Sequence, residues 1–333
     1  MNLLQAIILG IVQGLTEFIP VSSTAHLIFA SRALHLFSGM DETLRAESNT
    51  ASIAVIQLGT LAAVLLYFAR DIWNILLAFV SDHIALLRGQ QSPAALREAA
   101  ETGARPSRLS RDARLGWLVI LGSLPVGVVG LLFKKQIEGT FTKNLWVIAT
   151  MMIVVALLLV FAEWVGKRQR TMEQLGVGDA LAVGGAQVLA LIPGSSRSGS
   201  TIMGGLFAGE TRETAARFSF LLSIPAVAAS GLLELKEAVH KLPTGTGFSL
   251  VVATIIAGVV GYASIFFLLR YLRTHSTGVF IGYRLIVGTL ILILLSGHFI
   301  QPSDNAKAAS VQSASPSHHT ALVRADFTAP PVR

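Results

Sequence analysis

Apolar and polar residues fall along this chain in long blocks. Six blocks, at 52–69, 115–133, 145–165, 216–235, 248–270 and 278–300, run for 18 to 23 residues with few charges or none. About 20 apolar residues in helix cross a bilayer, so each predicts a transmembrane helix. Two further apolar regions, 3–34 and 178–209, are interrupted midway by polar stretches containing Pro and Ser, IPVSSTAH and IPGSSRSGST. Half-length arms around such a break predict helical hairpins that enter the membrane and turn back, because non-helical backbone survives at depth only inside protein or beside a wet cavity. The segment 72–87 is apolar but carries Asp82 and His83, and predicts an interfacial helix.

The two breaks resemble each other. Gln13-Gly-Leu-Thr-Glu17-Phe-Ile-Pro20-Val-Ser22-Ser23 parallels Gln187-Val-Leu-Ala-Leu-Ile-Pro193-Gly-Ser195-Ser196 with a one-residue gap, the prolines lying 173 positions apart. A hairpin and three spans follow each time. An odd number of crossings turns the second copy over, which predicts an inverted-topology repeat of about 1–165 and 166–300 within one membrane domain, 1–300. The remaining residues, 301–333, are rich in Ser, Ala, Pro and His and predict a disordered tail. The first residues show no positive stretch or cleavage site of a removable signal peptide.

Composition agrees with a polytopic all-α membrane protein. Of 333 residues 53% are apolar and 14% charged, and mean hydropathy is +0.65. A soluble domain carries about 25% charged residues. The absence of cysteine excludes disulfides, thiolate metal sites and thiol nucleophiles. The net charge of +7 would suit nucleic acid, but the basic residues lie mostly in connecting loops and act as topology determinants, so no nucleic-acid partner is expected. The segments 70–114, 166–177, 210–217 and 270–277 hold 14 Lys and Arg, against six in the opposite connections. The positive-inside rule makes the richer side cytoplasmic and sends the hairpins in from opposite faces.

Within the apolar blocks, ionisable residues away from segment ends are few: Glu17, His26, Arg197 and Arg284. Glu163 and Glu210 lie near segment ends and are expected to be solvated. A charge at depth costs on the order of 3 kcal/mol or more, so such residues face a cavity and pair with one another. Three of the four belong to the breaks, and one polar site where the hairpin tips meet is the economical arrangement. The first tip offers Gln13 and Glu17 on one helix face, then Ser22, Ser23, Thr24 and His26. The second offers Ser195, Ser196, Arg197, Ser198 and Thr201 before an apolar helix. A Gly/Ser loop at a helix start presents N–H groups and hydroxyls to an anion, and arginine adds planar donors for phosphate oxygens. Arg284 could supply a second. The set suits phosphoryl transfer. Each residue also has a plain structural use: Ser22 and Ser23 as helix caps, Glu17 as an arginine's partner, His26 as a core histidine, Arg284 as a snorkelling side chain.

The motifs Gln13-x-x-x-Glu17-Phe-Ile-Pro-Val-Ser-Ser23-Thr-Ala-His26 and Pro193-Gly-Ser-Ser-Arg-Ser-Gly-Ser-Thr201, with Tyr283-Arg284 near the last span, resemble the paired signatures of the bacterial undecaprenyl-diphosphate phosphatase family of the integral-membrane, bacitracin-resistance type. The resemblance implies removal of the terminal phosphate from a polyprenyl diphosphate lipid, giving the monophosphate carrier of peptidoglycan synthesis. It further implies a plasma (inner) membrane location, a site opening outward, and activation by a divalent cation, Mg²⁺ or Ca²⁺. It assigns Glu17, Ser23, His26 and Arg197 to catalysis, and Ser196, Arg197, Ser198, Thr201 and Arg284 to the substrate phosphate. Glu17 and Gln13 would hold the metal, although Gln13 is a neutral amide where some members carry Glu. In this reading Ser23 attacks phosphorus with His26 as its base or as acid for the leaving group, and Glu17 holds a cation or orients His26; direct attack by metal-activated water is the alternative. Membrane lipids are the surrounding partner, and a homodimer is compatible. The rival reading from the residues themselves is a lipid or anion transporter, since broken helices meeting at the midplane also build secondary transporters.

Overall fold

In lipid, backbone polar groups find partners only within the segment itself. Helix accordingly dominates the computed structural model, which describes residues 1–103, 105, 107–133, 136, 144–241 and 245–302. Among them there is no strand, only an isolated bridge between Arg170 and Glu210. The helices are α1 (Leu3–Phe18), α2 (Ser23–Ala33), α3 (Glu42–Tyr67), α4 (Ala69–Leu87), α5 (Pro93–Thr102), α6 (Arg111–Leu132), α7 (Leu145–Val165), α8 (Val177–Gln187), α9 (Arg197–Phe207), α10 (Arg212–Lys241), α11 (Gly247–Leu272) and α12 (Gly278–Ser296).

Five of the predicted spans coincide with helices long and apolar enough to cross a membrane: Glu47–Tyr67, Arg111–Leu132, Leu145–Val165, Gly247–Leu272 and Gly278–Ser296. The protein is a multi-pass membrane protein. The sixth, 216–235, falls within the 30-residue α10 but is not among those five, and its side chains at 230 and from 232 on lie outside the described residues. Helix α3 starts ten residues before the predicted block, because its polar first turns are helical without being apolar. The predicted disordered tail, from residue 303 on, lies outside the described residues.

Both apolar regions with polar breaks fold as two short arms. Asn2 caps α1, its side chain accepting from Gln5 N at 2.9 Å while Gln5 Oε1 accepts from Asn2 N at 2.8 Å. The helix stops at Phe18 because Ile19 precedes a proline and is pushed to extended backbone, with ψ 135°. In the second hairpin α8 tightens into a 3₁₀ turn over Val188–Leu191, and Ile192, before Pro193, is extended with ψ 121°.

Packing crosses between the halves. Helix α1 lies along α11, α8 along α6, α3 against α10 and α11, and α7 against α12 and α9. Small residues permit close approach: a Cβ on Gly59 of α3 would lie 2.0 Å from Thr254 O of α11, and one on Gly184 of α8 2.1 Å from Gly122 O of α6. The largest apolar cluster joins Phe18 at the end of α1 to Phe68, Leu159, Ile202, Phe220 and Ile265. It thus sits directly beside the hairpin tips. Phe18 and Phe220 meet edge-on at 5.3 Å.

Two carboxylates expected in solvent are instead built into the protein. Glu163, at the end of α7, accepts from Arg212 Nε and Nη2 at 2.9 and 2.7 Å, from Arg168 Nη1 at 3.1 Å, and from Thr277 N and Oγ1 at 3.0 and 2.8 Å. It ties α7 to the starts of α10 and α12. Glu210, between α9 and α10, is fully buried. Burial first, and then the nearby Asp179 carboxylate, push its carboxyl up to about 8. Asp82, whose charge suggested an interfacial α4, is fully buried too. It accepts from Ser92 Oγ at 2.5 Å and from Ser110 N and Oγ at 2.7 Å, holding the cap residues of α5 and α6. The opposite face of α4 exposes Trp73, Leu76, Leu77, Val80, Ile84 and Leu87.

Candidate active site

The two breaks meet. Arg197, first residue of α9, donates from Nη2 to Glu17 Oε1 at 2.9 Å across 180 positions of sequence, and from Nη1 to Ser223 O at 3.3 Å. The other carboxylate oxygen, Glu17 Oε2, accepts from Ser23 Oγ at 2.9 Å and from Gln13 Nε2 at 3.1 Å. Glu17 and Arg197 side chains remain 10% and 17% exposed, so the pair is reachable from outside the protein. Gln13 also donates to Thr60 Oγ1 of α3 at 3.4 Å. Thr60 is a hydroxyl in mid-span, a polar position of the kind that marks a buried contact.

Backbone geometry at the two tips is alike. Ser22 stands at the N-cap position of α2 with φ +76° and makes no side-chain capping bond, and Ser196 caps α9 with φ +66°. Left-handed backbone at a non-glycine residue is uncommon and costs on the order of 1–2 kcal/mol. Ser196 Oγ accepts from Gly199 N at 3.2 Å and meets Ser198 Oγ at 3.2 Å, while Ser198 Oγ donates to Ile19 O at 3.4 Å. The first N–H groups of a helix lack intrahelical acceptors, so the positive end of the α9 dipole sits at this corner. Gly194 is obligatory: its φ is +90°, and a Cβ would lie 2.2 Å from Ile148 O of α7. Gln13 Oε1, Ser22 Oγ and Ser195 Oγ are buried without a partner.

Two expected phosphate ligands face elsewhere. Thr201 is fully buried and donates to Arg197 O at 2.8 Å, with Ser219 Oγ of α10 at 2.5 Å, because one helical turn beyond the cap its side chain points into the α9–α10 contact. Arg284 is fully buried as well. Its guanidinium is spent on backbone carbonyls: Nη1 to Pro20 O at 3.4 Å, Nη2 to Gly194 O and Ser195 O at 3.0 Å and to Met151 O at 3.3 Å, and Nε to Met152 O at 3.1 Å. It clasps both breaks from behind. His26 is likewise not bonded to Ser23. Its Nδ1 donates to Ser22 O at 2.7 Å, and its Nε2 meets Tyr283 Oη at 2.6 Å. The group that takes the Ser23 hydroxyl is Glu17.

These features define a class: helical membrane proteins carrying a polar, anion-suited centre where two interrupted helices meet. The family model for bacitracin resistance protein BacA matches residues 6–290, and the chain belongs to that family. It is 49% identical over 298 residues to the undecaprenyl-diphosphatase of Syntrophobacter fumaroxidans, covering 90% of this chain and 99% of that one. The undecaprenyl-diphosphatases of Mycolicibacterium gilvum and Chloroherpeton thalassium are 47% and 45% identical, each covering 89% of this chain and 98% of its own.

Proposed function

We propose that this protein hydrolyses undecaprenyl diphosphate to undecaprenyl phosphate and inorganic phosphate at the junction of the two hairpins. One observation carries the reading: a serine hydroxyl, a carboxylate and an arginine, drawn from both breaks, are joined by two bonds of 2.9 Å through Glu17. The names of the relatives point the same way and give the transporter reading no support.

In this mechanism Ser23 Oγ attacks the terminal phosphorus and passes its proton to Glu17 Oε2, the bond from phosphorus to the bridging oxygen breaks, and the lipid monophosphate leaves. Water then hydrolyses the phosphoserine, with the proton on Glu17 returning to Ser23. Arg197, the α9 N-terminus and the hydroxyls of Ser196 and Ser198 neutralise charge on the transferred phosphoryl. Thr201 and Arg284 hold that loop in shape rather than touching substrate. His26 serves proton exchange at the edge of the site.

A divalent cation, Mg²⁺ or Ca²⁺, fits as a guest shared with the substrate. No group of three or more His, Cys, Asp or Glu occurs among the described residues. Glu17 and the unpartnered Gln13 Oε1 offer one charged and one neutral oxygen, and Mg²⁺ is commonly held by one or two carboxylates together with substrate phosphates and water. When bound, the cation would offset charge on the diphosphate.

We also infer that the two halves are inverted copies within one membrane domain. An offset of 174 sets Gln13 on Gln187 and Ser22 on Ser196 without a gap, one residue away from the register that aligns the prolines. The exchange of partners, α1 with α11 and α8 with α6, supports this. The outer side of the plasma membrane is the face to which this reading opens the site, in keeping with the family, and the loop charges support that orientation of the spans.

Phosphate release from a long-chain polyprenyl diphosphate by detergent-purified protein tests the activity, measured with Mg²⁺, with Ca²⁺ and with chelator, beside Arg197→Ala and Glu17→Ala. Cation-dependent release that both substitutions abolish is the expected result; no release from folded, lipid-binding protein refutes it. Phosphate trapped on Ser23 tests the nucleophile, and near-parent turnover by Ser23→Ala would transfer that role to water.

A further inference from the structure

The hydroxyl nearest His26 belongs to Tyr283, a residue to which the mechanism above gives no part. A carbonyl oxygen only accepts, so the 2.7 Å bond to Ser22 O fixes a proton on His26 Nδ1. In the neutral ring Nε2 then carries the lone pair, and Tyr283 Oη, 2.6 Å away, is its donor. The rings also stack, with centroids 5.6 Å apart and planes inclined by 15°, which keeps the imidazole from turning. Tyr283 is 42% exposed and forms the outer wall of the pair, whereas Ser22 is buried behind it. It shares α12 with Arg284, the next residue, whose guanidinium holds both breaks. One turn of helix thus fixes the loop backbone and the histidine together.

We propose that Tyr283 is a positioning residue for His26: with the tautomer set by Ser22 O, its hydroxyl and stacked ring hold the imidazole in the orientation in which Nε2 is the proton-exchanging nitrogen of the site; this rests on the phosphatase reading above. The hydroxyl is both donor and acceptor. It donates to Nε2 while the ring is neutral and accepts from Nε2–H when the ring is charged, so either protonation state keeps the same orientation. The half-exposed ring edge is the side from which a phosphate oxygen or water reaches the pair. Carboxylate-bearing residues orient histidines elsewhere; here a neutral carbonyl and a phenol do so, and neither fixes the imidazole in its charged form.

The test is Tyr283→Phe, which retains the stacked ring and removes one hydroxyl. Turnover and its pH dependence are measured beside His26→Gln with the same lipid diphosphate, and thermal unfolding is followed in detergent. We expect kcat to fall roughly tenfold with KM within about twofold, since a positioned acid or base contributes more than that in all. The limb of the kcat–pH profile that His26→Gln abolishes should move by about half a unit or more, while the unfolding temperature stays put. A Tyr283→Phe enzyme with the parent rate and parent profile overturns the proposal. So does a slower enzyme whose profile is unmoved and whose stability has dropped, which would make the hydroxyl a packing element. Parent turnover in His26→Gln overturns both this role and the part given to His26 in the phosphatase mechanism; loss in His26→Gln with an unaffected Tyr283→Phe removes only the role of Tyr283.

Discussion

Ser22 and Ser196 occupy the same station in their two hairpins, 174 positions apart, each at the N-cap position of the second arm with left-handed backbone at φ +76° and +66°. The cap sets the direction in which the following helix leaves and therefore where Ser23 and Arg197, the next residues, present their side chains. Substitution by Gly removes the steric cost and should leave the unfolding temperature unchanged or slightly higher. Substitution by Val, branched at Cβ, should cost at least about 1–2 kcal/mol. Thermal unfolding of the four variants in detergent measures this.

The two arginines differ in what surrounds them, and the same conservative change should separate them. Arg284→Lys leaves several of five buried carbonyls without a donor, at about 1–3 kcal/mol each, so it should strongly depress the unfolding temperature. Arg197→Lys keeps a cation beside the partly exposed Glu17 and should lower kcat/KM by tenfold or more with a smaller change in stability. Unfolding temperature and phosphate release, measured on both variants, check the contrast.

Glu17→Gln keeps shape but removes the acceptor for the Ser23 proton. Turnover should fall by about 10²–10⁴-fold, the usual scale of a positioned general base. Replacing Gln13 by Glu adds a second carboxylate at 3.1 Å from the first and should lower the cation concentration required for half-maximal activity. A cation titration of Gln13→Glu against the parent is the measurement.

Glu210 makes stability depend on pH. Its folded value, about 8, lies above the ordinary glutamate value of 4.5, so the fold favours the protonated form. The stabilisation from that proton is fully present below 4.5 and is lost as pH rises through 8. Melting temperature should decline over this interval in the parent and be flatter in Glu210→Gln, a neutral mimic of the protonated group. Equal slopes would mean that Glu210 does not titrate there.

Much of the architecture could be read before folding because lipid simplifies the code. The breaks were visible from Ile-Pro followed by serines inside apolar sequence, and the extended Ile19 and Ile192 are the direct consequence of the prolines after them. Glu17, His26, Arg197 and Arg284 stood out because an ionisable group is costly at depth unless paired, and Ser23 because it follows the first break. What the sequence concealed were partners without a side-chain signature. Arg284 is held by carbonyls, which every residue has, so nothing in the order of letters separates a clasp from a phosphate ligand. Glu163 lies at a segment end, and only folding brings Arg212 and Thr277 to it across 49 and 114 positions. The start of α5 carried Ser92 and Pro93, a usable cap signal lost within an arginine-rich loop.

The clasp by Arg284 has a mechanical consequence. Hydrogen bonds to a charged donor contribute about 1.5–3 kcal/mol each, and this one guanidinium binds Pro20 of one tip and Gly194 and Ser195 of the other. Neither tip can travel without breaking bonds that the other also relies on. The two interrupted helices are therefore pinned to each other as one unit, so that a shift forced on either tip is carried to the other.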